Sequence, residues 1–338
     1  QTNELREIIL PDSVTTLGQA AFATNPKVEK LVLSESLKTI PRTAFGNTTG
    51  CAPYTELIIP EGVTKIENNA FNGNSLTRIE IPETVTEIGS AAFMNTDENP
   101  TLKEIILHEG LEKIGNNAFA YASVKTIDLP STVNAKSALN ANAFRYNTEG
   151  KVIVWVNTQE QIDTLSNGLK NPTFELCNKD IFTYEVTEKG ATVTGLAEGA
   201  VVGDVLIIPR TTPEGKVITE IADAAVGGLF VQNTRSTYKE VVLPSGLKRI
   251  GKFAFHNNGI EKVEFPEGLE EIAQAAFNSN NLTSVILPDS VVTLGANAFA
   301  ANSNLSEVVL SKNLTEIPDR AFVTANLTKI EIPDGITK

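Results

Sequence analysis

The sequence predicts a β-dominated α/β repeat solenoid, a right-handed superhelix of units of about 22 to 23 residues with short helical turns. Three observations predict it. The dipeptide Ala-Phe recurs, ending at Phe22, Phe45, Phe71, Phe93, Phe119, Phe144, Phe255, Phe277, Phe299 and Phe322. Eleven residues before most of these rings a proline closes a strand-like run, at Pro11, Pro60, Pro82, Pro244, Pro266 and Pro288; Ser34, His108 and Ser311 fill that slot elsewhere. Asparagine follows the ring by three places at Asn25, Asn74, Asn147, Asn258, Asn280 and Asn302.

Each position has a mechanical reason. In the run 102–107, alternation sends Ile105 and Leu107 to one face and Glu104 and Ile106 to the other. Proline ends the strand, with φ fixed and no donor left to pair. The steps Leu17-Gly18, Ile88-Gly89, Ile114-Gly115, Ile250-Gly251 and Leu294-Gly295 are expected to be tight corners whose backbone angles a Cβ would forbid. Phenylalanine is the largest apolar body of the unit and is expected to stack on its counterparts. Asparagine is expected to satisfy backbone groups of adjacent coils. The Asn-x-Ser/Thr matches at Asn47, Asn281, Asn304, Asn313 and Asn326 read as by-products of the repeat. One unit cannot bury its own apolar face, so stability comes from stacking neighbours.

The units Ile81-Pro82…Ile88-Gly89…Ala92-Phe93 and Leu287-Pro288…Leu294-Gly295…Ala298-Phe299 resemble BspA-type leucine-rich repeats, also called the Treponema pallidum type. The resemblance covers roughly residues 1–145 and 204–338. It implies a leucine-rich-repeat solenoid of a bacterial surface or secreted protein, several relatives being associated with adhesion to host matrix or to other cells. The family usually carries Cys where this chain carries Asn, so the ladder here is amide rather than thiol. It brings no catalytic residues to transfer.

Between Phe144 and Gly203 the period fails. Lys151–Val156 reads as a strand and Thr158–Leu165 as a short helix, with Thr158 as N-cap and Gln161 three residues on. Together they suit a C-terminal cap. Phe182–Val186 and Ala191–Thr194, joined through Lys189-Gly190, read as a hairpin that caps a second array beginning at Val205–Ile208. The expected organisation is array one over 1–178 with its strand-helix cap, and array two over 179–338 with its hairpin cap, truncated at its end. One continuous solenoid is the alternative. The chain opens at Gln1 inside repeat sequence and stops at Lys338 partway through a repeat, so a trimmed piece of a longer protein is expected, without signal or anchor.

Strand residues that point away from the core are the candidate partner-binding face. The place before the last core residue of each strand holds Ile9, Val32, Ile58, Glu80, Ile106, Asp128, Ile207, Val242, Glu264, Ile286, Val309 and Glu331. Two readings stay open: ordinary strand propensity on an exposed sheet, or a shallow apolar track for a partner chain. A second expected contact is a rim of insertions at Gly46–Pro53 and Met94–Pro100, with a longer one at 227–237.

Other functions find less support. A net charge of −13 argues against nucleic acid and anionic lipid, which need clustered Lys and Arg. Cys51 and Cys177 stand too far apart in sequence for metal-ligand spacing and do not make a disulfide framework. His108 and His256 read as surface substitutions. No metalloprotease, nucleophile-elbow, phosphate-loop or calcium-loop pattern occurs. Acids such as Glu61, Glu83, Glu109 and Glu267 recur with the repeat and read as solvated turns. No cofactor is expected. The favoured reading is a non-catalytic cell-surface or secreted module that adheres to a protein, host matrix and other cells being the candidate sources. A passive spacer comes second and a carbohydrate-active enzyme third.

Overall fold

Strands that close after three residues stay short, so a sheet of such strands grows only by adding coils. The computed structural model describes residues 4–47, 51–96, 100–167, 169–170, 172–200, 202–224, 228–230 and 238–337. It is a β-dominated repeat solenoid whose coils divide into two units, Gln1–Asn178 and Lys179–Lys338.

A coil has three sides. The first is a three-residue strand and the second a two-residue strand, as in Arg78–Glu80 followed by Glu87–Ile88. Both pair in parallel with the next coil, Arg78–Glu80 with Glu104–Ile106 and Glu87–Ile88 with Lys113–Ile114. The third side is the Ala-Phe segment. There the expected short helical turns take the form of hydrogen-bonded turns with left-handed residues rather than regular helix.

These left-handed residues repeat. Two places before the ring stand Ala20, Thr43, Asn69, Ala91, Asn117, Phe253, Ala275, Asn297 and Arg320, with φ from 54° to 58°. Two places after it stand Thr24, Tyr121, Tyr146, Asn257, Ser279, Ala301 and Thr324, with φ from 56° to 62°. Non-glycine residues adopt this region only at a cost. The return is a ladder between coils: Ala275, Phe277 and Ser279 donate their amides to the carbonyls of Ala296, Ala298 and Ala300 at 3.0, 2.8 and 2.9 Å. The intervening amides of Ala276 and Asn278 bond back within their own coil, to Ala273 and Ala275. Alternate amides thus serve the turn and the stack, and none in the run is left unpaired.

The glycine of the Ile-Gly step has a different reason from the one expected. None of these glycines has a positive φ. Instead the preceding coil passes close by: a Cβ on Gly89 would lie 2.6 Å from Asn68 N, and one on Gly295 would lie 2.3 Å from Gln274 N. Close approach, not backbone angle, excludes a side chain at Gly89, Gly115, Gly251 and Gly295, whereas nothing lies within 4 Å of a Cβ on Gly18.

Inside the coils the rings form columns. In the first unit Phe22, Phe45, Phe71, Phe93, Phe119 and Phe144 stack with centroids 5.3 to 5.8 Å apart. Phe174 meets the end of that column edge-on, at 5.7 Å and 86°. It opens a strand, Phe174–Asn178, that the sequence did not disclose and that pairs in parallel with Val152–Val156. Helix Gln159–Ser166 lies between those strands in sequence, and Thr158 caps it by accepting from Gln161 N at 3.1 Å. The buried Gln161 side chain also donates to the carbonyls of Pro130 and Val133, tying the helix to the last coil.

In the second unit Phe230, Phe255, Phe277, Phe299 and Phe322 form the column, with centroids 4.9 to 5.9 Å apart. Strands Phe182–Thr187 and Gly190–Leu196 make the antiparallel hairpin, and the second of them pairs in parallel with Ile218–Ile221. The hairpin thereby starts a six-stranded sheet that runs on to Thr293–Leu294, while Phe182 sets its edge against Phe230 at 79°.

The columns tie the coils of each unit together. Phe277→Ala removes a fully buried ring with a neighbour on either side, so it is expected to cost about 3–5 kcal/mol. Urea unfolding followed by circular dichroism measures this loss.

Candidate binding face

The three-residue strands show one side chain inward between two outward ones. In the first unit Ile9 and Val32 are direct partners across two strands, and Ile58 takes the same place in the next coil. All three are exposed, at 55%, 40% and 80%. In the second unit Ile286 is 60% exposed, with Glu264 and Glu331 also exposed. Glu80, Asp128, Ile207, Val242 and Val309 are half-buried. The exposed apolar row therefore falls in the first three coils of unit one, with Ile286 in unit two.

Ile106 does not join the row. It is 4% exposed, contrary to the alternation expected of its strand. Glu104 and His108 flank it on the strand and Glu80 is its direct partner across the ladder. Arg78 bridges Glu80 at 2.7 Å and Glu104 at 3.0 Å, while His108 Nε2 meets Glu80 Oε1 at 2.8 Å. The stems of this closed ionic cluster shield the isoleucine. His108 is accordingly a member of the cluster rather than a bare surface substitution. His256 is also half-buried, edge-on to Phe253 at 5.7 Å, and burial lowers its pKa.

A second row runs beside the strands of the first five coils of unit one, at the residue after the strand-closing slot: Asp12, Glu35, Glu61, Glu83 and Glu109, with the neutral Ser131 in the sixth coil. All five are exposed, and none forms an ion pair among the described residues. Asp12 Oδ1 accepts from Glu35 N at 3.0 Å, and the Glu109 carboxylate accepts from Ser131 N at 2.9 Å, which holds the two ends of the row to the coil that follows each. The corresponding places in unit two hold Arg210, Ser245, Glu267, Asp289, Lys312 and Asp334, and there Asp289 pairs with Lys312 at 2.9 Å. Read one repeat at a time these acids are solvated turns. The shared sign of the first five coils appears only when the coils are aligned.

The insertions are partly structural. Residues 48–50, 97–99, 225–227 and 231–237 lie outside the described residues, but Asn47, Ala52, Tyr54 and Asn95 are buried. Cys51 Sγ lies 3.5 Å from Asn95 Oδ1 and 3.6 Å from Thr96 Oγ1, so the ends of the first two insertions touch. Cys51 and Cys177 are both free, and burial pushes the Cys177 thiol up to about 11. Among the described residues no group of three His, Cys, Asp or Glu side chains is placed to hold a metal, and no helix is long and apolar enough to cross a membrane.

Coils of this form, with a strand on one side and stacked rings within, define a leucine-rich-repeat solenoid. The model of the BspA type leucine rich repeat region matches six copies here, over residues 1–99, 97–178 and 231–338, and the chain belongs to that family. Among solved structures it is similar to a leucine-rich repeat protein from Bacteroides ovatus, at 22% identity over 99% of this chain and 74% of that one, with a TM-score of 0.39. It is likewise similar to a leucine rich cell surface protein from Faecalibacterium prausnitzii, at 21% identity over 97% and 79% of the two chains, with a TM-score of 0.37. A T. pallidum leucine rich repeat protein is 25% identical over 46% of this chain and 81% of its own, with a TM-score of 0.36. No curated protein matches the sequence.

The cluster over Ile106 has a pH signature. Burial pushes the Glu80 carboxyl up, but the hydrogen bonds from His108 and Arg78 outweigh it and hold its pKa below the usual value. A lowered carboxylate stabilises the fold above its unfolded pKa and loses that contribution as pH falls through the folded one. Glu80→Gln is therefore expected to flatten the acid decline in unfolding free energy below about pH 5, by less than about 1 kcal/mol because the pairs are half exposed. Urea unfolding at stepped pH reads the difference.

Proposed function

We propose that this protein is a non-catalytic binding module of the bacterial cell surface or of secreted material, which holds a polypeptide partner against the outward side of its three-residue strands. The observation that carries the reading is the row Ile9, Val32 and Ile58, three β-branched apolar side chains exposed at one register on consecutive coils. Single exposed apolar residues are ordinary, but a contiguous row of them marks contact surface. The neighbouring row of unpaired carboxylates favours a partner that brings basic groups beside its apolar ones. The two insertions that meet at Cys51 and Asn95 supply further contacts that set specificity. Membership of the BspA-type family supports a surface role and an adhesive one.

The test is a binding screen of the full chain against immobilised extracellular-matrix proteins and glycans, repeated with Ile9→Glu and Ile58→Glu. Both side chains are exposed, so the unfolding midpoint is expected to stay unchanged while affinity for the captured protein falls at least about tenfold, equivalent to about 1.4 kcal/mol. Equal binding by the variants removes the strand face from the account. Capture of nothing at all favours a spacer.

A further inference from the structure

The first unit contains a small cavity of about 10 Å³, lined by Asn25, Asn47 and Tyr54 among apolar neighbours that include Phe22, Phe45 and Ala52. These three polar residues are more than nine-tenths buried. Asn25 Oδ1, Asn47 Oδ1 and the Tyr54 hydroxyl have no hydrogen-bond partner among the described residues. The amide orientations are not free to change. Asn25 Nδ2 donates to Phe22 O at 2.7 Å and Asn47 Nδ2 donates to Gly73 O at 3.3 Å, so turning either amide over would set oxygen against oxygen.

In four other coils the same kind of oxygen is paired by the protein itself, while Asn258 Oδ1, in the second unit, has no partner among the described residues. Asn280 Oδ1 accepts from the amides of Asn258 and Ile260, both at 3.1 Å, and Asn302 Oδ1 accepts from Leu282 N at 3.1 Å. Asn74 and Asn147 accept from Leu76 N and Val124 N, each at 2.9 Å. Asn47 departs from this pattern because it stands two places after Phe45 rather than three, where the insertion begins. The ladder of amides is broken at that coil.

We propose that the cavity is a binding site for one water molecule, which donates to Asn25 Oδ1 and Asn47 Oδ1 and accepts from the Tyr54 hydroxyl. The hydrogens balance, since a water has two to give and the phenol has one. Burial, and after it the nearby Cys51, pushes the Tyr54 pKa far above its usual value, so the phenol keeps its proton to donate. A cavity of this volume admits one water centre, and three hydrogen bonds are the usual complement of a buried water. A cation fits poorly, because no carboxylate lines the cavity to offset its dehydration. The water supplies the side-chain link that the displaced Asn47 does not make, beside the backbone bonds that already join these coils.

A crystal structure of the full chain at high resolution tests this. The expected result is a difference peak of oxygen strength within about 3.2 Å of all three atoms. No peak overturns the proposal, and so does a heavier scatterer with contacts near about 2.4 Å. A second readout in solution needs no variant: the Tyr54 hydroxyl proton is expected to show a slow-exchanging cross-peak to water in NMR spectra. A hydroxyl signal without that cross-peak overturns it equally.

Discussion

The structure depends on contact between successive coils, made at once by stacked phenylalanines and by the turn-side backbone ladder. A single coil buries nothing by itself, and its residues near φ 57° are a local liability. Stacked, the same residues turn alternate amides toward the neighbouring coil, as Ala275, Phe277 and Ser279 do. The cost is local and the gain is shared between neighbours. This explains why Ala precedes the ring so often: the segment runs against the next coil's backbone, and Ala118, Ala254, Ala276 and Ala298 are wholly buried.

The same constraint separates structure from function around the coil. The turn side and the second strands are committed to stacking, and the glycine step admits no Cβ beside Asn68 or Gln274. The outward places of the three-residue strands and the residue after each strand-closing slot are released from this packing. Variation concentrates there: apolar at Ile9, Val32 and Ile58, ionic at Arg78, Glu80 and His108, and acidic from Asp12 to Glu109. A repeat protein that binds can write specificity in those positions and in its insertions without disturbing the stack.

Much of the fold was legible because ten phenylalanines share one slot, and a repeat multiplies a weak local signal. The ring at Phe230 was not, because Leu229 rather than Ala precedes it and the Ala-Phe pattern cannot find it. Strand Phe174–Asn178 escaped for a related reason, since it belongs to the cap and carries no period. The glycine step was located correctly but given the wrong cause, as sequence shows that a Cβ is excluded without showing what excludes it. For the candidate face, alternation placed Ile9, Val32, Ile58 and Ile286 outward but misplaced Ile106. Its burial is set by the charged stems of Arg78, Glu80 and His108, two of which lie on a different coil.

The central claim is that the turn-side amides are structural bonds between coils rather than loop contacts. Amide hydrogen exchange followed by NMR tests it directly. The account predicts that the amides of Phe71, Phe93, Phe255, Phe277 and Phe299 exchange only with global opening of their unit, as slowly as those of Ile79 or Val285 in the strands. Exchange of these phenylalanine amides at the rate of open loops, beside protected strands, would contradict it.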